Sequence, residues 1–194
     1  GTCGEVYYKY FDVEVPDTNT DEKLKNGAVG EIMVRPKISF GFMQGYLGMP
    51  DKSFEAYRNF WFHTGDAGFF NKKNQLIFVD RMKDCIRRRG ENISSYEVEQ
   101  AFLKIPQIAE AAAYAVPAKD HGQEDEVMVA LMIIKGSKIE YSKWINKVST
   151  DLAKFAIPLY LRVMKSFPKT QTGKIIKHAL RKEGITNDTW KNNL

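Results

Sequence analysis

The sequence predicts an α+β chain in two parts, and three observations carry that reading. Its first 80 residues hold short aromatic and β-branched runs broken by glycine, proline and asparagine turns. That is the pattern of several short strands in a small distorted β-barrel or sandwich. After a basic turn, amphipathic helical runs alternate with almost wholly apolar ones, as in a sheet covered on both faces. The charge changes character at the same place. Residues 1–80 carry 9 Lys/Arg against 11 Asp/Glu, a net of −2, whereas residues 81–194 carry 20 against 13, a net of +7. Two units are therefore expected, 1–80 and 81–194, meeting at Arg81 to Asp84.

In the first unit, Val6 to Val15 reads as a strand and Asp17 to Gly27 as a polar loop. Gly30 to Arg35 is a second strand, stopped by Pro36. Phe40 to Tyr46 mixes aromatics with glycines, which predicts a bent loop. Pro50 to Tyr57 is a brief helix. Phe60-Trp61-Phe62 leads into His63-Thr64-Gly65-Asp66, and Phe69-Phe70 and Leu76 to Val79 flank a hairpin turn at Asn71 to Asn74. In the second unit, Ser94 is a candidate N-cap with Glu97 three residues on, the spacing of a capping box. Val98, Ala101, Phe102 and Ile105 then share one helical face. Ile108 to Val116 is an Ala-rich apolar run ended by Pro117, and Glu126 to Ile134 fits a strand covered on both faces. Tyr141, Trp144, Ile145, Val148, Leu152 and Phe155 repeat at helical spacing up to Pro158, most simply as core. Tyr160 to Phe167 is a last strand, Pro168 to Gly173 a polar loop and Ile175 to Glu183 a short basic helix. Asn187 to Leu194 is expected to fray.

Several classes are disfavoured. Cys3 and Cys85 are the only cysteines, with no disulfide framework around them, which fits a reducing, cytoplasmic setting. Neither has CxxC spacing, and His63, His121 and His178 are not at metal-ligand intervals, so no protein-built metal site is expected. No apolar run approaches the roughly 20 residues of a membrane span, and no signal peptide opens the chain.

The chemistry concentrates in three stretches. Asp80 to Glu99, DRMKDCIRRRGENISSYEVE, packs Arg81, Lys83, Arg87, Arg88 and Arg89 before Gly90. Positive charge held in a turn suits nucleotide phosphates; a solvated basic face is the simpler alternative. Thr64-Gly65-Asp66 ends an aromatic strand and sets a carboxylate in a tight turn, where it can accept from ribose hydroxyls or satisfy its own backbone. Pro168-Lys-Thr-Gln-Thr-Gly-Lys174 invites a phosphate-loop reading and fails it. Pro168 stands where that loop needs glycine, and Ile175 where it needs Ser or Thr. What remains is Lys174 on a Gly/Thr-rich tip, a point charge for a carboxylate or phosphate.

HTGDAGFF, DRMKDCIRRRGENISSYEVE and PKTQTGK, in that order and separation, resemble the C-terminal third of the adenylate-forming (AMP-binding) enzymes: acyl-CoA synthetases, nonribosomal peptide adenylation domains and beetle luciferases. Gly27-Ala-Val-Gly-Glu-Ile and Gly45-Tyr46 with Pro50 resemble the same family, so nearly the whole chain is covered. The wording FVDRMKDCIRRRGENIS and the lysine loop look most like crotonobetaine/carnitine–CoA ligases. The resemblance implies a ligase that joins a carboxylate to ATP as acyl-adenylate, releasing pyrophosphate, and passes the acyl group to CoA with release of AMP. ATP, CoA and Mg2+ are the implied cofactors, the ion held mainly by phosphates.

On this resemblance Asp66 matches the family aspartate that binds the ribose hydroxyls, with Arg81 beside it. Lys83 falls at the hinge about which a mobile C-terminal domain swings between half-reactions. Lys174 matches the lysine that bridges carboxylate and nucleotide. Gly90, with Arg89 and Glu91, matches the turn lining the pantetheine tunnel, and Arg87 joins Arg89 as a candidate contact for CoA. The family's glycine-rich phosphate loop and Tyr-Gly-x-Thr-Glu segment should precede Gly1, so a fragment, inactive alone, is expected, needing the missing N-terminal part as partner. Two alternatives stay open within the class: a ligase for another acid such as a fatty acid, or an adenylation domain loading a carrier protein. A basic nucleic-acid-binding module is the alternative of another class; the aromatics fall at core spacing rather than among the basic residues.

Overall fold

The computed structural model describes residues 2–17, 20, 22–118 and 125–193; His121 lies outside them. The chain divides into two compact units, Gly1–Lys83 and Asp84–Leu194.

The first unit is one antiparallel sheet of four strands, β1 Phe11–Glu14, β2 Gly30–Pro36, β3 Phe62–Phe70 and β4 Leu76–Arg81, ordered β1-β2-β3-β4. The sheet is open among the described residues, so the expected barrel does not close. Four strands, one of them only four residues long, are too few to curl back on themselves. The first strand is shorter than its aromatic run promised. The backbone turns at Tyr8–Tyr10, where Tyr10 and Phe11 N–H both donate to Tyr7 O. Helix α1, Pro50–Ala56, starts with proline at its first position, where the missing N–H costs nothing. The β3–β4 hairpin closes as expected, with Asn71 Oδ1 accepting from Lys73 N and Gln75 N, each at 2.9 Å. Two register shifts, between Glu31 and Met33 and between Ala67 and Gly68, bracket the Thr64-Gly65-Asp66 turn and re-aim its side chains.

The second unit opens with a hairpin, β5 Ile86–Arg88 and β6 Glu91–Ile93, followed by helix α2, Ser95–Leu103. Ser94 caps α2 by accepting from Glu97 N at 3.2 Å, as the capping pattern predicts. The main sheet runs β10-β9-β8-β7, from β7 Ile108–Pro117, β8 Asp125–Ile133, β9 Tyr160–Val163 and β10 Trp190–Lys191. Its β8–β9 pair is parallel and the others antiparallel. Period-2 alternation splits β7 and β8 between two cores. Ala111, Ala113, Val127, Val129 and Leu131 pack with Val98 and Phe102 of α2 and with Trp144, Ile145 and Val148 of helix α3, Tyr141–Val148. Ala112, Tyr114, Val116, Met128 and Ala130 face Phe167 and Leu180, the latter from helix α4, Lys177–Glu183. Covering on both faces makes β8 apolar at nearly every position.

Three element expectations are corrected. Helix α3 ends at Val148 rather than continuing to Phe155. Ser149 Oγ donates to Ile145 O and Thr150 Oγ1 to Lys147 O, local bonds that compete with the helical ladder. Leu152 stays buried, but Phe155 is half exposed in a 3-10 turn, Lys154–Ala156. The last long strand stops at Val163, and Phe167 reaches the core from a loop. The described part of the tail, up to Asn193, is not frayed. Trp190 and Lys191 pair with Leu161 and Tyr160 as β10, and Trp190 stacks on Tyr141 with ring centroids 5.2 Å apart.

Candidate functional site

In the first unit, Asp66 sits on β3 directly opposite Arg81 on β4, and Arg81 Nη1 lies 2.9 Å from Asp66 Oδ1. Burial raises the Asp66 carboxyl above its usual range; Arg81 partly offsets this and the negative charge of Glu31 adds to it. The turn before it is tightly held. Gly65 has φ +70°, a left-handed conformation that glycine adopts without strain. Its N–H donates to Glu31 Oε1 at 3.0 Å and its carbonyl accepts from Met82 N at 2.8 Å. Thr64 Oγ1 donates to Ile32 O at 2.7 Å and accepts from Asp66 N at 3.1 Å. Glu31 Oε2 lies 2.8 Å from His63 Nδ1. Glu31 and His63 lie in the stretches Gly27-Ala-Val-Gly-Glu-Ile and HTGDAGFF, but the sequence assigns neither a role at this turn. A carboxylate oxygen on each of two neighbours 32 and 34 residues away has no local sequence signal. Lys83 is exposed in the turn that ends this unit.

In the second unit, the arginine run is sorted by strand alternation. Arg87 and Arg89 are exposed, whereas Arg88 turns inward. Its Nε lies 2.7 Å from Glu126 Oε2, the two side chains only 9% and 6% exposed, and its Nη1 donates to Phe155 O and Ile157 O at 2.9 and 3.0 Å. Arg88 therefore fastens the hairpin to the sheet. Arg89 and Gly90 form its two-residue turn, with φ +52° and +80°, the backbone of a type I′ hairpin. A Cβ on Gly90 would meet nothing within 4 Å. Within this unit, glycine is favoured there by that φ. Glu91 is exposed beside it and pairs with Arg88 in the ladder.

Lys174 is exposed on a loop closed by short bonds. Lys169 bridges Ile175, Thr170 N donates to Lys174 O at 2.9 Å, and Thr170 Oγ1 accepts from Lys174 N at 3.1 Å. Both stems are braced. Lys169 Nζ lies 2.7 Å from Glu110 Oε2 on β7. Lys177 donates to Ser95 Oγ at 2.6 Å and lies 2.7 Å from Glu99 Oε1 on α2. Asp84, the first residue of the unit, meets Arg181 of α4 at 3.3 Å. The lysine loop, the Arg89–Gly90 turn and the entry to the unit are thus tied to one frame. Among the described residues no group of three or more His, Cys, Asp or Glu converges to hold a metal ion.

Residues 97–174 match the family described as AMP-binding enzyme C-terminal domain. The α+β fold is that of the C-terminal part of adenylate-forming enzymes. It is 35% identical over 182 residues to oxalate–CoA ligase of Saccharomyces cerevisiae, covering 93% of this chain and 32% of that protein. Crotonobetaine/carnitine–CoA ligase of Proteus is 28% identical over 162 residues, covering 83% and 31%. Among solved structures, o-succinylbenzoate CoA synthetase of Bacillus subtilis in complex with an acyl-adenylate has a TM-score of 0.77 at 25% identity, covering 95% of this chain and 35% of that one. MatB of Rhodopseudomonas palustris with bound ATP has a TM-score of 0.77 at 27% identity, covering 90% and 34%. The chain spans about a third of the length of the curated relatives it matches.

Proposed function

We propose that this chain is the distal part of an acyl-CoA ligase that first adenylates a carboxylic acid and then transfers the acyl group to CoA. The observation that carries the reading is the frame of the second unit, which holds two exposed cationic loops, Lys174 and Arg89–Gly90, on separate stems joined through α2. Two tools fixed to one body can serve two successive steps if the body turns between them. The Asp66 carboxylate, paired with Arg81, accepts from the ribose hydroxyls of ATP. Lys174 offsets negative charge as a substrate carboxylate oxygen attacks the α-phosphorus and pyrophosphate leaves. In the second step the CoA thiol, giving up its proton, attacks the acyl carbon, and AMP departs. Arg89, Gly90 and Glu91 then face the pantetheine arm, with Arg87 and Arg89 toward the anionic nucleotide end of CoA. Lys83 is the pivot. Mg2+ would be held mainly by the nucleotide phosphates and would neutralise part of their charge there.

Crotonobetaine or carnitine is the acid we put forward, on the wording FVDRMKDCIRRRGENIS. Oxalate is the rival, on the higher identity of its ligase. The cysteine usage fits a reducing compartment, and the cytoplasm is our assignment; one relative is named peroxisomal. No helix among the described residues is long and apolar enough to cross a membrane. The test is made in the full-length protein. Lys174→Ala is expected to lower acid-dependent pyrophosphate exchange by roughly a hundredfold or more, the scale of losing one charge-stabilising group. It should spare thioester formation from a supplied acyl-adenylate. Equal losses in both assays count against the bridging role, and AMP release across carnitine, crotonobetaine, oxalate and fatty acids identifies the acid.

A further inference from the structure

We infer that Glu31 is a positioning residue for the nucleotide: by clasping Gly65 and His63 it sets where the Asp66 carboxylate stands. The inference rests on the reading that Asp66 accepts from the ribose hydroxyls. Each Glu31 oxygen has its own task. Oε1 accepts from Gly65 N at 3.0 Å and Oε2 faces His63 Nδ1 at 2.8 Å. Arg58 Nη2 stands 3.4 Å from Oε2 on the solvent side of the group. Glu31 and His63 are both buried, so the clasp is shielded from water and its hydrogen bonds are strong.

The contact lies one residue before Asp66, at a glycine whose left-handed φ leaves the turn few restraints of its own. Met82 N holds the same residue from the opposite side through Gly65 O. The turn is thus pinned from β2 by Glu31 and from the end of β4 by Met82, and Asp66 follows it. Glu31 itself sits next to the register shift between Glu31 and Met33. That irregularity lets its side chain reach inward beneath the turn. A buried carboxylate on a strand is costly unless its bonds matter, and here its two shorter bonds lead to Gly65 and His63, one and three residues before Asp66, with Arg58 a longer third contact.

The test uses the full-length protein and the ratio of kcat/KM for ATP to that for 2′,3′-dideoxy-ATP in acid-dependent pyrophosphate exchange. A ratio taken on one preparation cancels any loss of folded protein. Asp66→Asn is expected to bring the native ratio down to within about threefold of unity, which tests the ribose reading by itself. Glu31→Leu, similar in size and without an acceptor, is expected to narrow the ratio roughly tenfold, the scale of one charge-assisted hydrogen bond. Glu31→Gln, which keeps an acceptor for Gly65 N–H, should restore it to within about threefold of native. Glu31→Ala serves the same comparison where the leucine variant does not accumulate. A native ratio in Asp66→Asn overturns the ribose reading and the role of Glu31 with it. A collapsed ratio in Asp66→Asn beside a native ratio in the Glu31 variants overturns the inference alone, as does an equal loss on both nucleotides.

Discussion

Asp66, the proposed ribose acceptor, is held at some expense to the fold. Burial keeps its carboxyl above the ordinary range even with Arg81 alongside. The folded state therefore binds this proton more readily than the unfolded chain does. The stability this contributes is fully present at low pH and is lost as pH rises through the elevated folded value. At neutral pH the charged form is a net burden, so Asp66→Asn is expected to melt higher than the native protein at pH 7. That advantage should vanish at about pH 2–3, well below the ordinary aspartate value of about 3.9, where the carboxyl is neutral in the folded and unfolded states alike. Thermal unfolding at the two pH values decides it, and a variant that melts lower at pH 7 contradicts the assignment. Asp66, Arg81 and Lys174 could be singled out in sequence because each lies in a short local pattern. Glu31 also lies in a local stretch, Gly27-Ala-Val-Gly-Glu-Ile, but its contacts were not legible there, because they reach strand neighbours more than 30 residues away.

At the scale of elements, the sequence was most legible where periodicity is strict and least where one side chain decides. The two-sided burial of β8 and the cap and apolar face of α2 follow directly from period 2 and period 3.6. The β5–β6 hairpin was not foreseen. Its turn is Arg-Gly rather than the usual Asn-Gly or Asp-Gly, and of the two inward positions on β5 only Ile86 is apolar, the other being Arg88. Arg88 and Glu126 are both buried, so removing one leaves the other charge without its counterpart. Arg88→Met is expected to destabilise the second unit by about 3–5 kcal/mol, and Arg88→Met with Glu126→Leu by much less. Urea unfolding of the single and double variants measures the difference. Additive losses in the double variant would show that the pair is not the fastening. The short α3 was missed for a related reason: apolar spacing carried on past Ser149 and Thr150, whose hydroxyls end the helix.

For the whole molecule, the division between Lys83 and Asp84 gives the pivot proposal its footing. Asp84 is bound to α4 through Arg181 and Met82 N to Gly65 O, so a turning motion of the kind proposed would be taken up between them, at Lys83. Lys83→Pro, which fixes φ and removes an N–H, is expected to slow thioester formation roughly tenfold or more while adenylation stays within about threefold of native, the hallmark of a blocked conformational step. The two half-reactions measured separately on full-length protein provide the check, and unaffected thioester formation would remove Lys83 from that role. The change of charge at Arg81 was visible in composition, yet composition could not say which positive residues face water. Arg88, the middle of the run, is committed to the interior and leaves Arg87 and Arg89 as the outward pair.

The closing residues have a practical bearing. Trp190 and Lys191 cover the outer edge of β9, and the indole lies flat against Tyr141. Trimming the chain ahead of Trp190 to tidy a terminus would bare a row of unsatisfied amides and carbonyls along β9, an invitation to sticky edge-to-edge association. Affinity handles and truncation boundaries are better placed at or beyond Asn192, whose own amide still bonds to Leu159 O.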